Sequence, residues 1–214
     1  MPRDREARVN RRASHPRRVL AIAGSVRTGS YNRLLLKAAA ACAPTGMVVE
    51  IYGELGAIPI FDEDLERSTS GGPDAVRRLR LLVRAADGLL ISTPEYNHSM
   101  PGVLKNAIDW LSRPGPDEVL IGKPVAVMGA SGGRWGTRLA QSTLRQVLAA
   151  TEAVAMPAPM LFIGEAGGRF DEEGALVHAS TRDQLTRLLA AFAQWIDRMV
   201  PASSDSTTAA ALDT

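Results

Sequence analysis

"DGLLISTPEYNHSMPGVLKNAIDW", residues 87–110, sets the frame of the chain. It opens as a short apolar run, residues 87–93, the pattern of a strand buried on both faces. From residue 101 onward, Val103, Leu104, Ala107, Ile108 and Leu111 recur at helical spacing. Between strand and helix lie two prolines, hydroxyl side chains and a histidine. Pro94 fixes its own φ and biases Thr93 toward an extended form. Pro101 suits the first turn of a helix, with Ser99 or Met100 before it as the cap. Glu95, Tyr96, Asn97 and His98 are thereby held on a defined path. A stiff backbone of this kind offers donors and acceptors edge-on to a planar ligand at low entropic cost. A turn that merely caps a helix is the plainer reading, and it leaves the polar run unexplained.

The same strand–loop–helix unit recurs on either side. Apolar runs at 18–24, 47–53 and 124–130 read as strands, and 153–164 holds a fifth that prolines interrupt. Helical spacing marks 30–42, with Leu34, Leu35, Ala38 and Cys42 on one face, and also 74–86, 136–149 and 179–199. Residues 54–73, rich in glycine, proline and acidic side chains, read as a long loop. Strands alternating with helices give an α/β domain: a parallel sheet with helices on both faces. Ligands in such sheets lie beyond the carboxyl ends of the strands. Three of those ends are chemically unusual: 24–32, 93–101 and 130–137.

The first of these, "GSVRTGSYN", runs from a strand into a helix start, where unpaired N–H groups and the helix dipole favour an anion. Ser25, Thr28 and Ser30 add hydroxyls and Arg27 a permanent charge. Gly29 is followed by Ser30 and not by lysine, so this is no Walker A loop; Gly24-Ser25-Val26 also breaks a dinucleotide fingerprint. One phosphate, as in a mononucleotide, fits. The alternative leaves Ser30 as a helix cap and Arg27 as a solvated charge. The third loop, "GASGGRWGT" (129–137), has glycines that allow close backbone approach to a ligand, a weak signal when taken alone.

Composition narrows the classes. The 214 residues suit one domain. Residues 1–18 hold seven arginines against Asp4 and Glu6, so this leader is +5 and the rest −3, giving the net +2. A body of that sign has no broad electrostatic footprint for nucleic acid. Residues 1–16 and 201–214 lack apolar periodicity and are expected to be disordered, leaving 17–200 as the domain. Cys42 is the single cysteine, which excludes an intrachain disulfide and reads as a small buried apolar residue. No apolar run approaches the ~18 residues of a membrane span. "RRVLAIAG" ends too soon for an export signal, so a cytoplasmic location is expected. No His/Cys/Asp cluster shows metal-ligand spacing.

At these loops the chain resembles the NADPH-dependent FMN reductase family of flavodoxin-like proteins. Gly24, Ser25, Arg27, Ser30 and Asn32 complete its G-S-x-R-x-x-S-x-N pattern. Pro94 to Asn97, Ser99, Pro101, Gly102 and Leu104 to Trp110 match its second and more specific motif. The resemblance covers about residues 18–198. It implies a flavodoxin-like, doubly wound five-stranded parallel sheet of order 2-1-3-4-5. It implies FMN as cofactor and NADPH or NADH as co-substrate. Ser25, Arg27, Ser30 and Asn32 would hold the phosphate, with Tyr31 beside them. Pro94, Glu95, Tyr96 and Asn97 would line the flavin ring, and Ser131, Gly132 and Gly133 would meet it from the third loop. The helix from Pro101 would pack at a subunit interface, in a homodimer or homotetramer. Hydride would pass from NAD(P)H to FMN and on to a quinone, free flavin, azo or metal-oxyanion acceptor. The flavin carries that chemistry, so no catalytic side chain and no metal are expected. His98 departs from the small residue of many relatives. It is either a tolerated turn residue or an edge of the acceptor pocket. A flavodoxin-like electron carrier is the main rival, although the mild −3 body lacks the strongly acidic docking face of such carriers. A nucleotide-binding module without flavin is the third reading.

Overall fold

The computed structural model describes residues 15–69, 71–113 and 118–199. The leader and tail expected to be disordered lie outside these residues, apart from His15 and Pro16. The strands are β1 (Arg17–Ala23), β2 (Met47–Tyr52), β3 (Gly88–Ser92), β4 (Pro124–Ala130), β5 (Val154–Ala155) and β6 (Leu161–Ile163). The helices are α1 (Tyr31–Ala41), α2 (Glu63–Ser68), α3 (Asp74–Ala85), α4 (Gly102–Leu111), α5 (Arg138–Ala150) and α6 (Ala179–Met199). All strand pairs are parallel, in the order β2-β1-β3-β4-β5, with β6 also pairing β4. The fold is the doubly wound flavodoxin-like sheet.

Strand side chains alternate between faces, and the alternation divides the core in two. Leu20, Ile22, Leu89, Ile91, Val125 and Val127 face one cluster with residues of α3, α4 and α5. Val19, Ala21, Leu90, Ala126 and Met128 face the other, with α1 and α6. Gly88 lets α6 approach β3: a Cβ there would sit 2.9 Å from the Phe192 ring.

Four expectations need correction. The fifth strand is two short pieces, β5 and β6, because Pro157 and Pro159 between them have no N–H to offer a ladder. The long loop 54–73 contains a 3-10 turn (Leu55–Ala57) and α2. That helix buries no residue, so it leaves no apolar period; its N-cap Asp62 accepts from the Asp64 N–H at 2.8 Å. The buried stripe of α1 is Asn32, Leu35, Leu36 and Ala39, rotated from the expected face. Cys42 is half-buried at the end of α1 and not a core residue.

The loop 54–73 is fastened to α4. Asn106 accepts from the Phe61 N–H at 2.7 Å and donates to the Pro59 carbonyl at 2.8 Å. The Trp110 indole N–H donates to the same carbonyl at 2.8 Å. Buried Arg80 donates to the Trp110 carbonyl and pairs with Glu66, which also accepts from Arg113 at 2.8 Å. The polar half of the motif "LKNAIDW" therefore clamps a loop while its apolar half packs on the sheet.

Candidate functional site

The carboxyl ends of β1, β3 and β4 surround one cavity of about 430 Å³. That is within the range of small-ligand sites, roughly 300–1,000 Å³. Ser25, Arg27, Ser30, Tyr31 and Asn32 line one wall; Pro94, Glu95 and Tyr96 a second; residues 130–136 a third. Sheet order explains the meeting: β3 lies between β1 and β4, so the three unusual loops are neighbours.

The first wall has the donors of an anion cradle. Ser30 stands at the N-cap of α1, but its hydroxyl makes no capping bond. Its carbonyl accepts from the Arg33 and Leu34 N–H groups at 3.0 and 3.1 Å. Among the described residues, the N–H groups of 28–32 meet no acceptor in the chain. Ser25 accepts from the Arg27 N–H at 3.4 Å, which bends the loop back on itself. The Arg27 guanidinium lies 6.0 Å from the centroid of the Tyr31 ring, and that ring stacks on Phe170 at 6.1 Å. Gly24 leaves room for the turn: a Cβ there would be 3.1 Å from Leu104 and 3.3 Å from Pro94.

Asn32 lines the cavity and also ties it together. Its Nδ2 donates to the Ala130 carbonyl at 2.9 Å, and its Oδ1 accepts from the Ala130 N–H and the Ser92 hydroxyl. One buried amide at the start of α1 thus ties the carboxyl ends of β3 and β4 together. A single N–H of that amide remains for a ligand.

Glu95 has a role that the sequence pattern did not reveal. Its Oε2 accepts from the Leu139 and Ala140 N–H groups, at 2.9 and 3.0 Å. It caps α5, whose own N-cap, Thr137, provides no side-chain cap. The second loop is therefore bound to the third. Capping across 44 residues leaves no local signal of the S/T-x-x-E kind.

Asn97 and His98 lie outside the cavity lining. Tyr96 and Ser99 exchange two backbone hydrogen bonds of 3.0 Å, and the two residues between them have φ of 51° and 64°. This is a two-residue reversal with both central residues left-handed, as in a type I′ turn. His98 therefore sits on an exposed turn tip and not at a pocket edge, because the chain doubles back between 96 and 99. The third loop adds Arg134, Trp135 and Gly136 to the expected Ser131, Gly132 and Gly133. An exposed arginine–tryptophan pair in a glycine-rich loop was the available signal. Gly132 opens onto free space: a Cβ built there meets no atom within 4 Å.

The donor set suits a mononucleotide flavin. One cradle of amides with one arginine matches one phosphate, and the other two walls offer the flat side chains of Tyr96 and Trp135 beside the small residues 130–133. Across the described residues, no group of three His, Cys, Asp or Glu side chains stands where it could hold a metal ion.

Comparison with known proteins decides the family. The model of the NADPH-dependent FMN reductase family matches residues 17–168. This chain belongs to that family. It is an oxidoreductase that uses FMN and a reduced nicotinamide nucleotide. An NAD(P)H-dependent FMN reductase of Pseudomonas aeruginosa is 44% identical over 182 residues, 85% of this chain and 96% of that one. A quinone reductase of Escherichia coli is 40% identical over 182 residues, again 85% and 96%. The solved structure of a flavoenzyme NAD(P)H:(acceptor) oxidoreductase from Paracoccus denitrificans superposes with a TM-score of 0.78 at 33% identity. It covers 86% of this chain and 98% of that chain. The family match spans all three walls of the cavity.

Proposed function

We propose that the chain is an NAD(P)H-dependent quinone reductase whose FMN lies in the cavity at the ends of β1, β3 and β4. The observation that carries this reading is the cradle of unspent N–H groups at 28–32, facing two stiff backbone loops across one cavity. Two of the relatives act, by their names, as FMN reductase and quinone reductase. Free flavin, azo compounds and metal oxyanions are further acceptors of the same electron chemistry.

Bound FMN supplies the two-electron chemistry, accepting hydride from the nicotinamide and returning electrons to the acceptor. The protein's contribution is placement. Arg27, the Ser25 and Ser30 hydroxyls and the amides of 28–32 anchor the phosphate. Pro94 to Asn97 and Ser131 to Gly133 define the ring's edges, with Asn97 acting through the turn that sets the path of Tyr96. Asn32 and Glu95 keep the walls at fixed separation. Tyr96 and Leu139, each about half exposed beside the Glu95 cap, support assembly as a homodimer or homotetramer.

Anaerobic mixing of the purified yellow protein with NADPH tests the reading. The flavin absorbance is expected to bleach without any partner protein and to return on adding a quinone. Flavin that NADPH and NADH leave oxidised would instead fit a carrier reduced by another enzyme. A protein that takes up no FMN would support the nucleotide module.

A further inference from the structure

The cavity has two arginines, and the flavin phosphate accounts for one. Arg27 belongs to the loop after β1, whereas Arg134 belongs to the loop after β4. With β3 between them, the strand ends they follow are separated by two strand spacings, roughly 10 Å. The Arg134 guanidinium lies 5.2 Å from the centroid of the Trp135 ring and, among the described residues, makes no ion pair with a carboxylate. Glu95, the one carboxylate in the lining, is taken up by the two amides of α5. Trp135 is 71% exposed, the second most exposed large apolar side chain of the described residues.

This pair is presented by a fixed backbone. The Ser131 N–H donates to the Ile163 carbonyl at 2.9 Å, the Ala166 N–H to the Ser131 carbonyl at 3.0 Å and the Glu165 N–H to the Gly133 carbonyl at 3.0 Å. The Ser131 hydroxyl closes the loop onto the Gly136 carbonyl at 3.0 Å. Gly164 packs so tightly on the Arg134 carbonyl that no side chain fits there. An arginine and a tryptophan held side by side at the rim of a redox cavity, both open to solvent, form a platform for a base next to an anion. An aromatic or guanidinium plane stacks a purine, and a free guanidinium fork takes a phosphate monoester.

We propose that Arg134 and Trp135 form the subsite for the adenosine 2′-phosphate of NADPH and select it over NADH. The inference rests on the reading above, in which a reduced nicotinamide nucleotide enters this cavity. The 2′-phosphate sits on the ribose carbon next to the one that carries adenine, nearer the base than the pyrophosphate on C5′, so a guanidinium and an indole side by side suit it better.

The test is calorimetric titration of the full-length, FMN-saturated protein with adenosine 2′,5′-bisphosphate and with adenosine 5′-monophosphate. The wild type is expected to bind the bisphosphate about ten- to a hundredfold more tightly. Arg134→Gln should abolish that preference, Arg134→Lys should retain part of it, and Trp135→Ala should weaken both nucleotides together. In steady state, the NADPH:NADH ratio of kcat/KM should fall ten- to a hundredfold in Arg134→Gln. Equal affinities in the wild type, or a preference that survives Arg134→Gln, would overturn the proposal. So would a parallel loss with both donors, which would move Arg134 to the pyrophosphate. Failure to take up FMN is read separately, from the visible spectrum, and would count against the flavin site and not against this subsite.

Discussion

Arg27 stands over the Tyr31 ring, next to a run of amide N–H groups that meet no acceptor among the described residues. Its charge is therefore free for a phosphate. Arg27→Ala is expected to weaken FMN binding by about ten- to a hundredfold, the usual worth of a charge-assisted contact. The reaction of flavin that stays bound should change much less. An FMN dissociation constant equal to wild type, measured by fluorescence quenching, would remove Arg27 from the cradle. His98 makes a different prediction. A left-handed conformation costs an L-residue about 1–2 kcal/mol, against a glycine entropy cost of about 0.5–1 kcal/mol. His98→Gly should therefore raise stability by about 0.5–1 kcal/mol, or roughly 1–4 °C in melting temperature. The ratio of turnover with small and large quinones should stay as in the wild type, since the turn tip does not line the cavity. A selective gain with large quinones would return His98 to the acceptor pocket.

Among the elements, α5 depends on a cap from outside itself. Glu95→Ala leaves the Leu139 and Ala140 N–H groups without their partner and should cost about 1–2 kcal/mol in denaturant unfolding. It should also loosen FMN, because two walls of the cavity lose their tie. Glu95→Gln keeps an acceptor oxygen and should recover most of both. If Glu95→Ala matched wild type in stability and FMN affinity, the cap would be incidental. Local chemistry explains which elements could be read in advance. Strands β1, β3 and β4 were legible because burial on both faces makes a continuous apolar run, and the edge strand β2, with Val48 and Ile51 exposed, because its β-branched residues mark a strand. The motif loops were legible because prolines, hydroxyls and glycines leave distinct marks. The β5–β6 break was only half legible, since prolines announce an interruption but not how each piece pairs. Helix α2 was hidden because a cap and ion pairs hold it and no residue of it is fully buried. Neither the Glu95 cap nor the Asn32 tie could be read, since each joins residues far apart in sequence through the sheet order.

At the scale of the whole molecule, the topology does the assembling. Placing β3 between β1 and β4 brings three loops from distant parts of the chain to one cavity. The proposed homo-oligomer predicts a light-scattering mass near twice or four times 22.8 kDa, and elution at 22.8 kDa across the micromolar range would argue for a monomer. This cavity is proposed to hold a mononucleotide flavin by its phosphate. Titrating the flavin-stripped protein with FMN, riboflavin and FAD, and following flavin fluorescence, tests it directly. One FMN is expected to bind per chain, with riboflavin weaker by about ten- to a hundredfold or more and FAD also weaker than FMN. Equal affinity for FMN and riboflavin, or a preference for FAD, would contradict it.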